Sequence, residues 1–176
     1  IADKMIAHGS NKEIKNRIKK ALEILSRPGI RFSANNVMQF FAKQFVFAEN
    51  IKTAIKSSKA KNGLYSFDML GEAAWTMIDA DKYFLSYKNA LIEIGKHRQS
   101  KNIFEADGIS VKLSALHPKY DFMHRDRVLS ELLPRIIELV NIAQKYNIGI
   151  NIDAEEAERL DLSLDVIDRI MGSIAN

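Results

Sequence analysis

Three short segments of the chain alternate apolar and polar residues, and each carries a charged residue near its end. Asp68, Lys112 and Asp153 all lie on the polar side of this alternation. Successive side chains of a β-strand point to opposite faces, so each charged residue shares a face with the other polar residues of its strand. If the strands are parallel neighbours, their carboxyl ends meet at one edge and bring the three side chains together. An ammonium group between two carboxylates could anchor an anionic substrate group or form an ion-pair network.

These charges have a functional and a structural interpretation. A buried charge is costly unless it is paired, so Lys112 among apolar neighbours needs Asp153, Asp68 or a bound ligand as its partner. The functional interpretation makes Lys112 a ligand for a substrate anion, whereas the structural one makes it the centre of an ion-pair network. Glu72 follows Asp68 by four residues and would lie in the loop just above it. Both of these carboxylates could instead complement the dipole at the start of a helix.

The strands that position these residues are predicted at about residues 64–69, 109–114 and 148–153, and an amphipathic segment follows each one. This alternation is typical of βα units with a parallel sheet. A doubly wound domain is not favoured, because no glycine-rich phosphate loop follows a strand. The sequence therefore favours an α/β fold made of the first three βα units of a (βα)8 TIM-like barrel over residues 63–176, truncated because a closed barrel needs eight units. Pro134 interrupts the second helical pattern, either as a kink or as a new start.

Residues 1–62 are predicted to form an N-terminal helical arm. Ser10 and Glu13 have the spacing of a capping box at its first helix. Basic residues spread around that helix could contact nucleic acid or an anionic membrane surface. No aromatic residues interleave with them and acidic residues lie among them, so a solvated helix face is favoured and no nucleic-acid partner is expected through these residues.

The composition is that of a globular chain, with 47% hydrophobic residues and a formal net charge of +4 over 176 residues. No apolar run is long enough to span a membrane, and no signal-peptide pattern is present. The absence of cysteine excludes disulfides and thiolate metal sites. We therefore expect a cytoplasmic protein and no metal site.

Three further features have simple structural interpretations. His117 could act as a general base, but no second histidine lies at metal-ligand spacing, and a loop position shaped by Pro118 is favoured. The acidic cluster in residues 155–161 could bind a cation, but it coincides with a predicted helix start. Trp75 and the phenylalanines near residue 40 are expected to pack in the core or between helices.

The same three segments carry a family resemblance. Residues 65–74 (YSFDMLGEAA), 108–120 (GISVKLSALHPKY) and 149–160 (GINIDAEEAERL) resemble the first three strand-end motifs of bacterial proline dehydrogenase domains, of the kind found in bifunctional proline-utilisation flavoproteins. The resemblance covers the chain from about Phe40 to its end. It implies a distorted (βα)8 barrel that binds FAD without a covalent bond and oxidises L-proline to pyrroline-5-carboxylate by hydride transfer to the flavin. Reduced flavin of this family passes electrons to a membrane quinone.

The resemblance also implies roles for individual residues. Lys112 corresponds to a catalytic-site lysine that helps anchor the substrate carboxylate, and Asp153 to an aspartate near the flavin and substrate. Glu72 corresponds to a glutamate that pairs with an arginine from the last barrel helix, which is missing here. Asp68 belongs to the same motif and is assigned to substrate binding. Since most of the family's FAD and carboxylate contacts come from later elements, we expect the isolated chain to be inactive and to bind FAD weakly or not at all.

The main alternative is a protein of another class. In that hypothesis the chain is a catalytically silent barrel fragment or interaction module whose helical arm mediates association, and exposed sheet edges favour self-association. The resemblance implies NAD only in a possible fused second dehydrogenase domain. It implies a peripheral contact with the inner membrane face only through the quinone acceptor.

Overall fold

The computed structural model of the chain describes residues 46–61, 63–98, 100 and 102–174. The predicted capping box, the basic helix and the phenylalanines near residue 40 lie outside these residues. A compact unit begins at Ala48. The helix Ile51–Lys59, assigned above to the arm, belongs to this unit, and the division between residues 62 and 63 stays a prediction.

Within the described residues, helices alternate with short strands. In chain order the elements are α1 Ile51–Lys59, β1 Ser66–Asp68, α2 Met77–His97, β2 Gly108–Val111, α3 Arg125–Glu131, α4 Leu133–Tyr146, β3 Ile150–Ile152 and α5 Leu160–Ile174. Short 3-10 turns at Ile103–Glu105, Leu113–Ala115, Phe122–His124 and Ala157–Arg159 join them.

The strands form one parallel sheet in the order β1-β2-β3. Asp68 lies opposite Ser110, and Ser110 lies opposite Asn151. This mixed α/β arrangement with a parallel sheet agrees with the predicted fold class. The strands are shorter than expected: β2 ends at Val111 and residues 113–115 turn into a 3-10 helix, whereas the alternation had predicted a strand to residue 114.

The two faces of the sheet differ as the alternation predicts. Phe67, Ile109 and Val111 are buried on one face. On the other face, Ser66 Oγ lies 2.9 Å from Ser110 Oγ and accepts a hydrogen bond from the Asn151 side chain at 3.0 Å. The polar face thus forms a hydrogen-bonded row directly below the charged strand ends.

The helices cover the apolar face and make the core. Helix α2 packs on α4, and α4 packs on α5. The largest fully buried side chains come from these helices and from β2 with the turn after it; they include Tyr87, Leu91, Ile109, Leu113, Ile136, Leu139 and Leu162. This one-sided packing stabilises the sheet by apolar burial and leaves its polar face for other contacts.

Local sequence signals set several helix ends. Thr76 and Asp79 form a capping box at the start of α2, each satisfying a backbone N–H at the other residue. Pro134 marks a restart rather than a kink, because it lies in the first turn of α4, where its missing N–H has no helical partner to lose. Asn147 ends α4 with a φ of 54°, a left-handed conformation that asparagine tolerates.

The expectation for Trp75 is wrong. Its side chain is 90% exposed in the loop before α2. The capping box at Thr76 fixes the backbone at this point, so the helix starts just after Trp75 and its side chain is left outside the apolar stripe. No helix among the described residues has the length and apolar character needed to cross a membrane.

Candidate functional site

Asp68, Lys112 and Asp153 meet at the carboxyl edge of the sheet. Lys112 Nζ lies 2.6 Å from Asp68 Oδ2 and 3.0 Å from Asp153 Oδ2. Both are charge-assisted hydrogen bonds at ordinary distances. The side chain of Lys112 is only 18% exposed, and the aspartate side chains are about a third exposed or less. The convergence predicted from strand alternation is therefore present in the structure.

The sheet itself holds the three residues in register. Lys112 keeps an extended backbone directly after β2. The amide of Asp153 donates to the Val111 carbonyl at 3.0 Å, which extends the ladder by one residue past β3. Asp68 ends β1, and its Oδ1 accepts the amide of Leu70 at 2.8 Å. That bond stabilises a turn in which Leu70 adopts a φ of 54°.

The electrostatics of this cluster keep Lys112 charged. Partial burial opposes the ammonium charge and by itself lowers the pKa of Lys112, but the hydrogen bonds and charges of Asp68 and Asp153 outweigh it, so the pKa is raised above its usual value. One ammonium faces two carboxylates, which gives the cluster a formal net charge of −1. Lys112 is thus a permanent hydrogen-bond donor and not a proton acceptor at neutral pH.

Glu72 lies in the loop between β1 and α2, as expected, and its side chain is exposed. Together with Lys112 and Arg159 it lines an open pocket of about 380 Å³ above the sheet edge. Among the described residues no ion pair holds Glu72. The structure therefore brings Asp68, Lys112 and Asp153 into contact and leaves Glu72 at the rim.

Sequence reasoning missed the polar role of Tyr87. Its side chain lies on α2 and is fully buried. Its hydroxyl accepts the backbone amide of Lys112 at 3.3 Å and donates to the Gly71 carbonyl at 3.4 Å. Burial raises the pKa of Tyr87 to about 12. The available signal was chemical, since a buried tyrosine hydroxyl needs a partner.

The acidic cluster before α5 is organised around Arg159. The guanidinium lies 3.3 Å from Glu155 Oε2 and 3.0 Å from Glu156 Oε2, and its carbon lies 5.8 Å from the centre of the Tyr120 ring. Glu155 is the least exposed of these carboxylates and also accepts the amide of Ser114. No group of three histidine, aspartate or glutamate side chains is placed to hold a metal ion in the part of the chain that the structure describes.

His117 is buried and both of its ring nitrogens have partners. Nδ1 accepts the amide of Lys119 at 3.1 Å, so Nε2 carries the proton and donates to Glu131 Oε2 at 3.1 Å. These bonds hold the loop after β2 against α3. His117 therefore has the structural role that was favoured, as a loop histidine next to Pro118.

The chain is similar to known proteins over most of its length. The family model described as proline dehydrogenase matches residues 51–175. Curated relatives named bifunctional protein PutA are 41% identical over 170 residues in Klebsiella aerogenes and 40% identical over 171 residues in Rhizobium meliloti. These matches cover 95% and 96% of the chain but only 13% and 14% of the relatives, so the chain spans about an eighth of their length.

Solved structures give the same result. A mutant of proline utilization A (PutA) from Bradyrhizobium japonicum matches with a TM-score of 0.66 and 40% identity over 86% of the chain and 16% of its own length. The fold alone is shared with PutA from Bdellovibrio bacteriovorus inactivated by N-propargylglycine, at a TM-score of 0.68 and 20% identity over 93% of the chain and 18% of its own length. The family match, the curated relatives and the sheet agree, and the chain belongs to the proline dehydrogenase family.

Proposed function

We propose that the chain is the start of the barrel of a flavin-dependent proline dehydrogenase. The parent protein would oxidise L-proline to pyrroline-5-carboxylate by moving a hydride from the ring carbon beside nitrogen to FAD. The observation that carries the proposal is Lys112 between Asp68 and Asp153 at the carboxyl edge of a parallel sheet, in a chain of this family. That edge is where barrel enzymes of this type place their chemistry.

Lys112 would anchor the substrate carboxylate. A permanently charged, largely desolvated ammonium suits this task. The substrate carboxylate must compete with two aspartates for it, and the cluster is already net negative. Further cations are therefore needed, and Arg159 is committed to Glu155 and Glu156. The exposed carboxylate of Glu72 could hold one such cation, an arginine supplied from outside these residues.

The residues present fit part of an FAD site. Asp153 offers a second carboxylate oxygen at the strand end and could accept hydrogen bonds from the flavin or its ribityl hydroxyls. None of the described strands is followed by a glycine-rich phosphate loop, so the diphosphate would be held by other elements of the barrel. FAD, when bound, would accept the hydride, while Lys112, Asp68 and Asp153 would orient the substrate beside it.

The parent protein would also need an electron acceptor. Electrons would leave reduced FAD for a quinone, which implies a cytoplasmic enzyme with a peripheral contact at the inner membrane face. NAD would be used only by a second dehydrogenase domain, as the word bifunctional in the names of the relatives suggests. The 176-residue chain alone would be inactive, because one lysine cannot fix a small amino acid in reactive geometry.

The test is made on the full-length protein that contains this chain. We expect a flavin absorbance spectrum and proline-dependent reduction of an electron-accepting dye, and no dye reduction by the isolated chain. A colourless full-length protein that does not respond to proline would overturn the proposal. Turnover by the isolated chain would contradict the claim that the missing elements are needed.

A further inference from the structure

Ser114 joins the three loops that follow the strands. It is 2% exposed, although it is polar. Its Oγ accepts the amide of Ala73 at 2.9 Å and its carbonyl accepts the amide of Ala74 at 2.9 Å. Its own amide donates to Glu155 Oε1 at 3.0 Å. One residue of the loop after β2 therefore binds the loop after β1 and the loop after β3.

The loop after β1 is held in a conformation that it would not adopt alone. Ala73 has a φ of 47°, in the left-handed region that residues with a Cβ rarely occupy. Such a conformation persists only where the surroundings determine it. Here the surroundings are the two hydrogen bonds that the amides of Ala73 and Ala74 donate to Ser114. The direction in which the neighbouring Glu72 leaves the loop is thereby set as well.

Glu155 fixes the other side of the junction. Its side chain is 9% exposed, which for a carboxylate requires strong partners. One oxygen accepts the Ser114 amide, and the other lies 3.3 Å from the Arg159 guanidinium. The polar atoms of both Ser114 and Glu155 are thus committed to the protein.

Each bond of this junction lies within two residues of a site residue. Lys112 precedes Ser114 by two positions, Glu72 precedes Ala73 by one, and Asp153 precedes Glu155 by two. We propose that Ser114 and Glu155 are positioning residues that lock the three loops together and so hold Lys112, Glu72 and Asp153 in their productive arrangement. As a role in catalysis, this inference rests on the proposed function. As a mechanical coupling between loops, it stands on the contacts alone.

The mechanical claim is tested first, by amide hydrogen exchange in the loop of residues 70–76. The amides of Ala73 and Ala74 donate to Ser114 and not to Glu155. We nevertheless expect Glu155→Ala to accelerate exchange at their amides by about tenfold, as Ser114→Ala does directly. Glu155→Gln keeps an oxygen acceptor for the Ser114 amide and should leave exchange near the original rate. Unchanged exchange in Glu155→Ala would show that Glu155 does not couple the loops and would overturn the proposal.

Ser58→Ala is the matched control. Ser58 is also 2% exposed, and its hydroxyl donates to the Ile55 carbonyl on α1, away from the three loops. It should leave exchange in residues 70–76 unchanged. Equal acceleration in Ser58→Ala would mean a loss of general stability and would also overturn the proposal. If Glu155→Ala does not fold, Ser114→Ala and Glu155→Gln are compared with this control and decide the question.

The kinetic claim is tested in the full-length flavoprotein. Ser114→Ala and Glu155→Ala should lower kcat/KM for proline by about tenfold, chiefly through a higher KM, with unchanged flavin content. Glu155→Gln should keep kcat/KM for proline within about threefold of the original value. If the unaltered protein does not oxidise proline, the proposed function fails. The exchange data still decide whether Ser114 and Glu155 couple the three loops. Normal kcat/KM in both alanine variants would overturn the positioning role.

Discussion

Lys112 is the residue whose environment says most about the site. Its ammonium is paired with two carboxylates and is largely removed from water. Removing one partner of a desolvated, hydrogen-bonded charge cluster costs far more than removing an exposed pair, since the remaining charges are left uncompensated. The same substitution also removes the group proposed to receive the substrate carboxylate. The stability and binding roles must therefore be separated by experiment.

We expect Lys112→Met to lower kcat/KM for proline by roughly 100-fold in the full-length protein, mainly through KM, while flavin content falls little. Lys88→Met is the matched control, because Lys88 forms an ion pair with Glu138 on the helical surface at 2.5 Å. An exposed pair of this kind contributes little, so this variant should stay within about threefold. Loss of flavin from Lys112→Met without a change in the proline requirement would make the lysine structural.

Tyr87 gives a prediction about alkaline stability. Its pKa is raised from 10.0 in an unfolded chain to about 12 in the folded one, because burial disfavours the phenolate. The folded state therefore holds the phenol proton more tightly than the unfolded state does. The resulting contribution to the free energy of unfolding is complete below pH 10 and is lost as pH rises through 12. Between these values the free energy of unfolding should fall by up to about 1.4 kcal/mol per pH unit for this group.

Denaturant unfolding of Tyr87→Phe across the same pH range measures this contribution. The variant should lose stability at neutral pH, yet show a shallower decline above pH 10. Burial raises the pKa of Tyr120 to about 12 as well, so Tyr120→Phe should also flatten the curve, and the double variant more than either one. Identical slopes in all four proteins would show that neither phenol is protected in the folded state.

At the scale of elements, much of the architecture was predictable because it follows from periodicity. Strand alternation identified the buried Phe67, Ile109 and Val111 and the polar face opposite them. The same periodicity failed just past Val111. There the chain turns into a 3-10 helix, since Ser114 is held by hydrogen bonds to residues 41 positions away on either side. Contacts between residues so far apart in sequence cannot be predicted from a local pattern of apolar and polar residues.

Helix ends were predictable only where the capping chemistry is local. Pro134 allowed a kink or a restart, and the choice depended on the packing of α3 and α4, which the local pattern does not contain. Thr76 and Asp79 form a capping box whose four residues are contiguous. Trp75, beside that box, was expected to be buried because aromatic side chains usually are, but the cap directs it to solvent.

Thr76→Ala should therefore destabilise the folded unit by about 1 kcal/mol, since it leaves the Asp79 amide at the start of α2 without its acceptor. Thr76→Ser keeps the oxygen and should cost only a few tenths of that. Thr53→Ala serves as a control, because Thr53 lies within the first turn of α1. Its backbone amide donates to Asn50 Oδ1, and the substitution keeps that amide and its acceptor. Denaturant midpoints measure all three variants, and an equal loss in Thr53→Ala would refute the capping assignment.

At the scale of the whole molecule, the strands of the described residues form an open sheet and not a closed barrel. Strands β1 and β3 each have a single neighbouring strand among the described residues. Next to β3 lies an apolar groove of about 550 Å³ between α4 and α5, lined by residues that include Ile150, Ile152, Ile167 and Met171. An unpaired edge beside an apolar surface favours association with another chain. Residues 1–45 of the helical arm in the alternative hypothesis lie outside the described residues. Among the described residues, the edge at β3 is therefore the surface that best supports self-association.

We expect the isolated 176-residue chain to show a molar mass that rises with concentration in light scattering. Met171→Lys puts a charge into the groove at a side chain that is already 62% exposed, so it should lower the mass without unfolding the chain. Ile78→Lys is the matched control, because Ile78 is 67% exposed on α2 and does not line the groove. A monomer at every concentration would refute self-association. Equal effects of both lysines would show that the self-association surface does not lie beside β3. Tight FAD binding in a parallel titration would show that the open sheet already forms a cofactor site.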